Sequence, residues 1–341
     1  MIAGESVLSR LPYLPFLVYW IAASEWLAHT IGMDFTFWIK LPSIVADVLI
    51  LLVLDRHFRN QKTFAPIASK ALLLYALNPV TMLVSGYHGQ FDLIPTVFLV
   101  LSIVLLAQRS RKRHVILASL SLGLGILAKT WPGLMVLCVV VGNQLRNREK
   151  VTFVAGAAVV PFLGLLASVL AFGGGVPAFV SLVRHALQAG AIPGWWGYTG
   201  LVNGIRWLTG LPAGQFSSLM RCKLLIVLVP VVSVVWLTRR MELRHSVFWS
   251  LLALFIVAPG FGLQSLSWLV PFFVMELGWS VTGWYVGLSV FHMTISYWGV
   301  HFSPNLYSVV PSDIVSGLVQ LSAVPVWVFF LLCAMKRWFV S

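Results

Sequence analysis

The stretch Leu77-Asn78-Pro79-Val80-Thr81-Met82-Leu83-Val84-Ser85-Gly86-Tyr87-His88-Gly89-Gln90-Phe91-Asp92 decides how this chain is read. It sets a cluster of polar and turn-forming residues, Ser85 to Asp92, between two apolar runs. In hydrocarbon an unsatisfied amide or carboxylate costs several kcal/mol. Such a cluster therefore lines a water-filled or protein-lined site, or lies at the bilayer surface.

The rest of the chain makes a membrane the relevant solvent. Of 341 residues, 59% are hydrophobic and only 10% charged, with 15 Trp and 22 Phe, and the mean hydropathy is +0.92. This composition excludes an ordinary soluble domain. At roughly 1.5 Å rise per residue and roughly 30 Å of hydrocarbon, the recurring apolar runs have the length of bilayer-crossing helices, or somewhat less where a helix is broken. Runs and breaks predict an all-α, polytopic bundle forming one membrane-embedded domain. Its spans lie near 37 to 54, 70 to 86, 92 to 107, 114 to 128, 131 to 145, 151 to 172, 221 to 238, 246 to 260, 266 to 279, 281 to 297 and 313 to 334, about eleven in all.

Charge orients these spans. If the first runs inward, one face receives sixteen of the 23 basic residues: Arg56, Arg59, Lys62, Lys70, Arg109, Arg111, Lys112, Arg113, Arg146, Arg148, Lys150, Arg239, Arg240, Arg244, Lys336 and Arg337. The positive-inside rule makes that face cytoplasmic. The net charge of +13 is then mostly topology, and basic runs such as Arg109 to Arg113 are short cytoplasmic loops rather than a nucleic-acid surface. Cys138, Cys222 and Cys333 are widely separated and form no disulfide or metal pattern.

The opposite face collects the unusual segments. Residues 12 to 32 place Glu25 and His29 one turn apart, which predicts an interfacial amphipathic helix on the external surface. Residues 173 to 220 form an external loop with short helices, too long for a connector, carrying Arg184, His185, Trp195, Trp196, Tyr198 and Arg206. For its tryptophans an interfacial belt and a functional rim fit equally. The Gly86 to Asp92 turn and the Lys129-Thr130-Trp131-Pro132 break share that face.

A resemblance rests on these residues. Tyr13-Leu14-Pro15 precedes an aromatic-rich helix; then come Lys40-Leu41-Pro42 through Ala46-Asp47, Asn78-Pro79, Gly89-Gln90-Phe91-Asp92, Lys129 with Pro132, and Gln264 through Trp268 and Pro271. In order and spacing this resembles integral-membrane glycosyltransferases of the GT-C superfamily, most of all the mannosyltransferase-like branches that use polyprenyl-phosphate sugars. The resemblance implies a lipid-phosphate-linked hexose donor, and a lipid, glycan or protein acceptor whose hydroxyl attacks the anomeric carbon on the external face of the plasma (inner) membrane. Such chemistry needs a carboxylate base, fixed cations for the leaving phosphate, and polar groups for the sugar.

For the cations, Lys129, Arg184 and Arg206 are available, with His88 and His185 beside them. Lys129 leads, because an ammonium interrupting an apolar run requires an anionic ligand or a carboxylate partner; snorkelling to the interface is its other reading. Gln90 and His88 fit sugar hydroxyls, or an interhelical hydrogen bond. Asn78-Pro79 reads more readily as a helix-ending bend than as a substrate contact. Gln264 and Trp268, one turn apart, fit a sugar face, and Trp268 fits an interfacial belt as well.

The base is the point of departure. In the family that the chain resembles, the catalytic aspartate lies in the first external loop, upstream of the segment found here at Tyr13, so the resemblance implies a first transmembrane helix and an Asp-bearing loop before Met1. Within the chain Glu5 stands nearest to that position, and Asp92 is the other candidate, although it also fits a helix N-cap for residues 93 onward. Asp34 and Asp313 are further external carboxylates, and Asp47 lies deep in a span. No metal spacing and no strand-linked glycine-rich nucleotide loop is visible; a divalent cation would find few external carboxylates. A non-catalytic relative that binds a lipid-linked sugar remains a second reading, and a transporter a third. The third expects repeated broken helices, and none repeats here.

Overall fold

Gly123, Gly156 and Gly164 lie at a helix–helix contact where a β-carbon would have no room. In a computed structural model that describes residues 15–61, 65–108, 112–172, 180, 197–210, 222–298 and 312–339, every regular element is a helix and no strand occurs among the described residues. The helices are α1 (Pro15–Ile31), α2 (Phe35–Asn60), α3 (Ala65–Ala76), α4 (Pro79–Met82), α5 (Leu93–Ala107), α6 (Lys112–Ala128), α7 (Leu134–Val141), α8 (Asn147–Phe172), α9 (Tyr198–Thr209), α10 (Lys223–Leu237), α11 (Leu243–Val257), α12 (Leu266–Glu276), α13 (Gly278–Tyr297), α14 (Ser312–Ser322) and α15 (Val324–Phe339). A π-helical stretch, Leu83–His88, continues α4.

Four helical segments among the described residues are long and apolar enough to cross a membrane: Phe35–Asn60, Pro66–His88, Asn147–Ser168 and Gly317–Lys336. Leu93–Ala107, Trp131–Val141, Leu224–Leu237 and Leu243–Val257 are shorter apolar helices. Several expected spans are broken. The run 70 to 86 divides at Asn78, and 313 to 334 divides at Ala323, where Pro325 has no N–H for the Leu321 carbonyl. The run 131 to 145 is helical only as far as Val141.

The described helices fall into two compact units. The first, residues 1–61 and 83–191, packs α6 between α5 and α8, with α2 against α5 and α1 against α2, α6 and α8. Small residues make the α6–α8 seam. A Cβ added at Gly123 would lie 2.8 Å from Val160 Cβ, one at Gly156 would lie 2.1 Å from Ser119 Oγ, and one at Gly164 would lie 2.6 Å from a Leu127 methyl. In lipid, where apolar contact alone does not drive association, this close approach supplies the packing and the backbone polar contacts that hold helices together.

Serines set the register of α5 on α6. Ser102 Oγ donates to the Ala118 carbonyl and Ser121 Oγ to the Phe98 carbonyl, each at 2.8 Å, and Gly125 faces the Pro95 carbonyl. Each turn toward the start of α5 is thus matched by a turn toward the end of α6. The helix α1 is pinned by the Trp20 indole, which donates to the Trp38 carbonyl at 3.2 Å, while Leu17 and Ser24 are buried. Its Glu25–His29 pair, 3.1 Å apart, is exposed.

The second unit, residues 62–82 and 192–341, is built on aromatic contacts. Phe273 stacks on Tyr285 with centroids 4.3 Å apart and meets Phe248 edge-on at 5.3 Å. The buried carboxylate of Glu276 lies 3.5 Å from Arg244 and 3.2 Å from His245, tying the end of α12 to the start of α11. At the α14–α15 break the Ser322 hydroxyl donates to the Val319 carbonyl, so it accepts from His292 Nδ1 at 2.8 Å.

Replacing Gly156 with Leu forces a branched side chain into Ser119. The expected outcome is a loss of about 1–3 kcal/mol of stability, read as a lower melting temperature of the detergent-solubilised protein, while Leu at the exposed Val159 leaves melting unchanged.

Candidate functional site

The polar stretch at the end of the Pro66–His88 segment is shaped by local chemistry. Pro79 cannot continue α3. Asn78, fully buried, restarts the chain as α4: its Oδ1 accepts from the Val80 N–H at 3.0 Å, and its amide donates to Thr81 Oγ1 at 3.3 Å. The bend reading of Asn78-Pro79 fits this geometry.

The π-helical stretch Leu83–His88 then widens the helix, a feature frequent at functional sites. It closes at Gly89, whose φ of +70° is a left-handed conformation that a side chain disfavours. The Gln90 N–H bonds back to the Val84 carbonyl at 3.0 Å. On its other side the Gln90 carbonyl accepts from Ser43 Oγ of α2 at 2.6 Å, which fixes the turn against that helix. The side chains of His88 and Gln90 meet at 3.3 Å between Nε2 atoms, each half-buried. Lys40, one turn before Ser43, lies across Gly89: a Cβ there would be 3.1 Å from Lys40 Cγ and 3.2 Å from its Cε.

Two residues on, Asp92 is fully buried, and its Oδ1 is 2.6 Å from the Lys129 ammonium. This pair is the next step of the α5–α6 register described above. Asp92 stands at the N-cap position of α5, but its backbone is already helical, with φ −64° and ψ −24°, and its side chain makes no capping bond. Snorkelling of Lys129 is overturned, because the ammonium turns inward to a carboxylate. Of the two partners its position demanded, the structure provides the carboxylate. The chain leaves α6 at Lys129, whose N–H still bonds to the Gly125 carbonyl at 2.9 Å, and Trp131–Gly133 forms a tight turn before α7.

The remaining candidates are not all gathered at this pair. Glu5, Arg184 and His185 lie outside the described residues, as do Trp195 and Trp196. Arg206 is on α9 in the second unit, where it donates to Asn203 Oδ1 at 3.3 Å. The start of α9 is tied to the α11 exit by Tyr198 and Thr199 N–H bonds to the Ala258 and Pro259 carbonyls, both 3.1 Å. Burial raises the Tyr198 phenol pKa above its ordinary value, and the neighbouring Cys222 adds to this.

Gln264, in the same unit, folds back over Gly262. Trp268 is only 6% exposed, edge-on to Phe255 and Phe261 at 5.7 and 5.8 Å. The belt reading of Trp268 therefore fails: the indole belongs to an aromatic cluster. Of the other carboxylates, Asp34 caps α2 through the Thr36 N–H at 2.5 Å. The Thr36 backbone and hydroxyl hold its carboxyl below the usual range, so it is a poor proton acceptor.

Sequence reading missed the part played by Lys40 and Ser43. Their spacing with Asp47, at three and then four residues, marks one helical stripe, but only the tertiary contact shows what that stripe faces. Among the described residues no three His, Cys, Asp or Glu side chains come together to hold a metal ion.

With the site described, the chain can be compared with known proteins. The model of glycosyltransferase family 87 matches residues 11–259. The chain belongs to glycosyltransferase family 87. The match spans the whole of the Lys40, His88–Asp92 and Lys129 constellation, which makes this family 87 member a membrane glycosyltransferase. No curated protein and no solved structure matches it.

The buried pair carries a direct test. Lys129→Ala leaves the Asp92 carboxylate buried without its cation, and a broken buried pair costs about 3–5 kcal/mol. The single variant is expected to melt far below the wild type in detergent, whereas Asp92→Leu combined with Lys129→Met recovers much of the loss. An unchanged melting temperature for Lys129→Ala would show that the pair does not hold α5 to α6.

Proposed function

We propose that this family 87 glycosyltransferase moves a hexose, mannose or a close relative, from a polyprenyl-phosphate donor to a lipid, glycan or protein acceptor on the external face of the plasma membrane. The observation that carries this reading is a polar site, His88 to Asp92 with Lys129 and Lys40, built at the ends of apolar helices within one unit. A donor dissolved in the bilayer reaches such a site by lateral diffusion. The described residues are helices and their connections, and none forms the strand-to-helix phosphate loop on which nucleotide-sugar enzymes commonly rely.

In this reading the enzyme is a multi-pass member of the GT-C superfamily with about eleven membrane-crossing helices. The basic loops, Lys112 and Arg113 among them, face the cytoplasm. The acceptor oxygen forms a bond to the anomeric carbon as the bond from that carbon to the phosphate oxygen breaks, and the lipid phosphate leaves with the electron pair. His88 and Gln90 hold sugar hydroxyls, and the Asp92–Lys129 pair keeps their turn in place. The base that takes the acceptor proton lies elsewhere, since Asp34 serves as a cap and Asp92 as the counter-ion of Lys129.

Purified protein in nanodiscs is expected to release the labelled sugar from mannosyl-phosphoryl-polyprenol and not from GDP-mannose. His88→Ala and Gln90→Ala should lower kcat/KM by about tenfold to a hundredfold, the loss of one or two hydrogen bonds to substrate. Transfer from GDP-mannose without a lipid intermediate would overturn the donor assignment. Orientation has its own check: in a cysteine-free background, a cysteine at the exposed Tyr87 should react with an impermeant maleimide from outside intact cells, and one at Arg113 only after lysis.

A further inference from the structure

The site holds two lysines, and they stand in different electrostatic positions. The Lys129 charge is balanced by a fully buried carboxylate at 2.6 Å. Lys40 is half-buried and, among the described residues, has no carboxylate within ion-pair distance. Its charge does act through space on Asp34, but that carboxyl is engaged by Thr36. A cation held at the edge of an apolar helix without a fixed counter-ion marks the place where an anion from outside the chain is accommodated at least cost.

The surroundings of Lys40 specify what kind of anion. Its aliphatic stem runs across Gly89, the one residue type that leaves room for Cγ and Cε there and also adopts a φ of +70° without strain. The ammonium is thereby carried to the turn that bears His88 and Gln90. On the same helix Ile44, Val48 and Leu52 follow at steps of four and are 41%, 53% and 57% exposed. They form an apolar stripe leading away from Lys40 on a segment long enough to span a membrane. On its other flank Ser43 is buried against the Gln90 carbonyl. One end of the stripe thus suits a charged head and the rest suits a hydrocarbon tail.

We infer that Lys40, laid over Gly89, is the cation that binds the phosphate of a lipid ligand whose tail lies along Ile44, Val48 and Leu52. The inference rests on the membrane glycosyltransferase reading and assigns the phosphate of its lipid donor to Lys40 rather than to Lys129. The chemistry recognised is a phosphate ester on a lipid, and either a polyprenyl phosphate or a bilayer phospholipid presents it.

The test uses the whole protein in detergent micelles, with undecaprenyl phosphate as probe, uncharged undecaprenol as the neutral control and phosphatidylglycerol as the rival. Lys40→Gln is expected to weaken undecaprenyl phosphate binding about tenfold or more, the loss of a charge-assisted contact. It should leave undecaprenol binding and the melting temperature unchanged, because no fixed ion pair is broken. Lys40→Arg is expected to stay near wild type, and Gly89→Ala to follow Lys40→Gln by displacing the stem. Lys40→Gln that binds undecaprenyl phosphate like the wild type overturns the inference while the donor reading stands. Wild-type protein that binds undecaprenyl phosphate no better than undecaprenol overturns both. Equal, Lys40-dependent binding of phosphatidylglycerol upholds Lys40 as a lipid-phosphate site and overturns its assignment to the sugar donor.

Discussion

The ion pair between Asp92 and Lys129 is the constraint around which the first unit is arranged. A fully buried carboxylate next to apolar helices is tolerable only with a cation in contact, and the 2.6 Å separation provides one. That contact requires the start of α5 to lie opposite the end of α6. The Ser102–Ala118 and Ser121–Phe98 hydrogen bonds and the Gly125 approach set that register along the two helices. The glycines of α6 and α8 then carry the same order to the next helix. Sliding α5 by one turn would separate the charges and break both serine hydrogen bonds.

The turn that carries the candidate site depends on this arrangement from one side and on α2 from the other. Ser43 holds the Gln90 carbonyl, Gly89 makes room for Lys40, and Asp92 anchors the far end. A π-helical stretch between them offsets His88 and Gln90 from the regular helical repeat, so their side chains meet each other while the neighbouring Val84 and Ser85 stay buried. The candidate site in this family 87 enzyme therefore sits on a short irregular segment held at both ends, a general way of orienting groups accurately on a helical scaffold.

Charge in the two lysines is used differently for a reason that lies in packing. Lys129 follows the last residue of α6, and its ammonium meets Asp92 just before α5. Lys40 is on the first turns of a helix whose outer stripe is apolar and exposed, and its stem lies across the bare α-carbon of Gly89. One lysine is paired with a buried carboxylate, and the other lies half-buried across Gly89.

The sequence by itself determined the helical class, the membrane as solvent and the break in the apolar pattern at residues 77 to 92, because hydropathy and the placement of Pro, Gly and charge are local properties of the chain. It also showed that Lys129 either meets an anion or snorkels to the interface. It could not show which anion: Asp92 is 37 positions away, and its pairing depends on how α5 registers against α6. For the same reason Trp268 fitted a sugar face and an interfacial belt equally until the Phe255 and Phe261 rings stood against it, and the contact of Lys40 with Gly89 was not legible. Side-chain type is written in one dimension, whereas the partner of a side chain is decided by helix register and close approach, and only the tertiary structure specifies those.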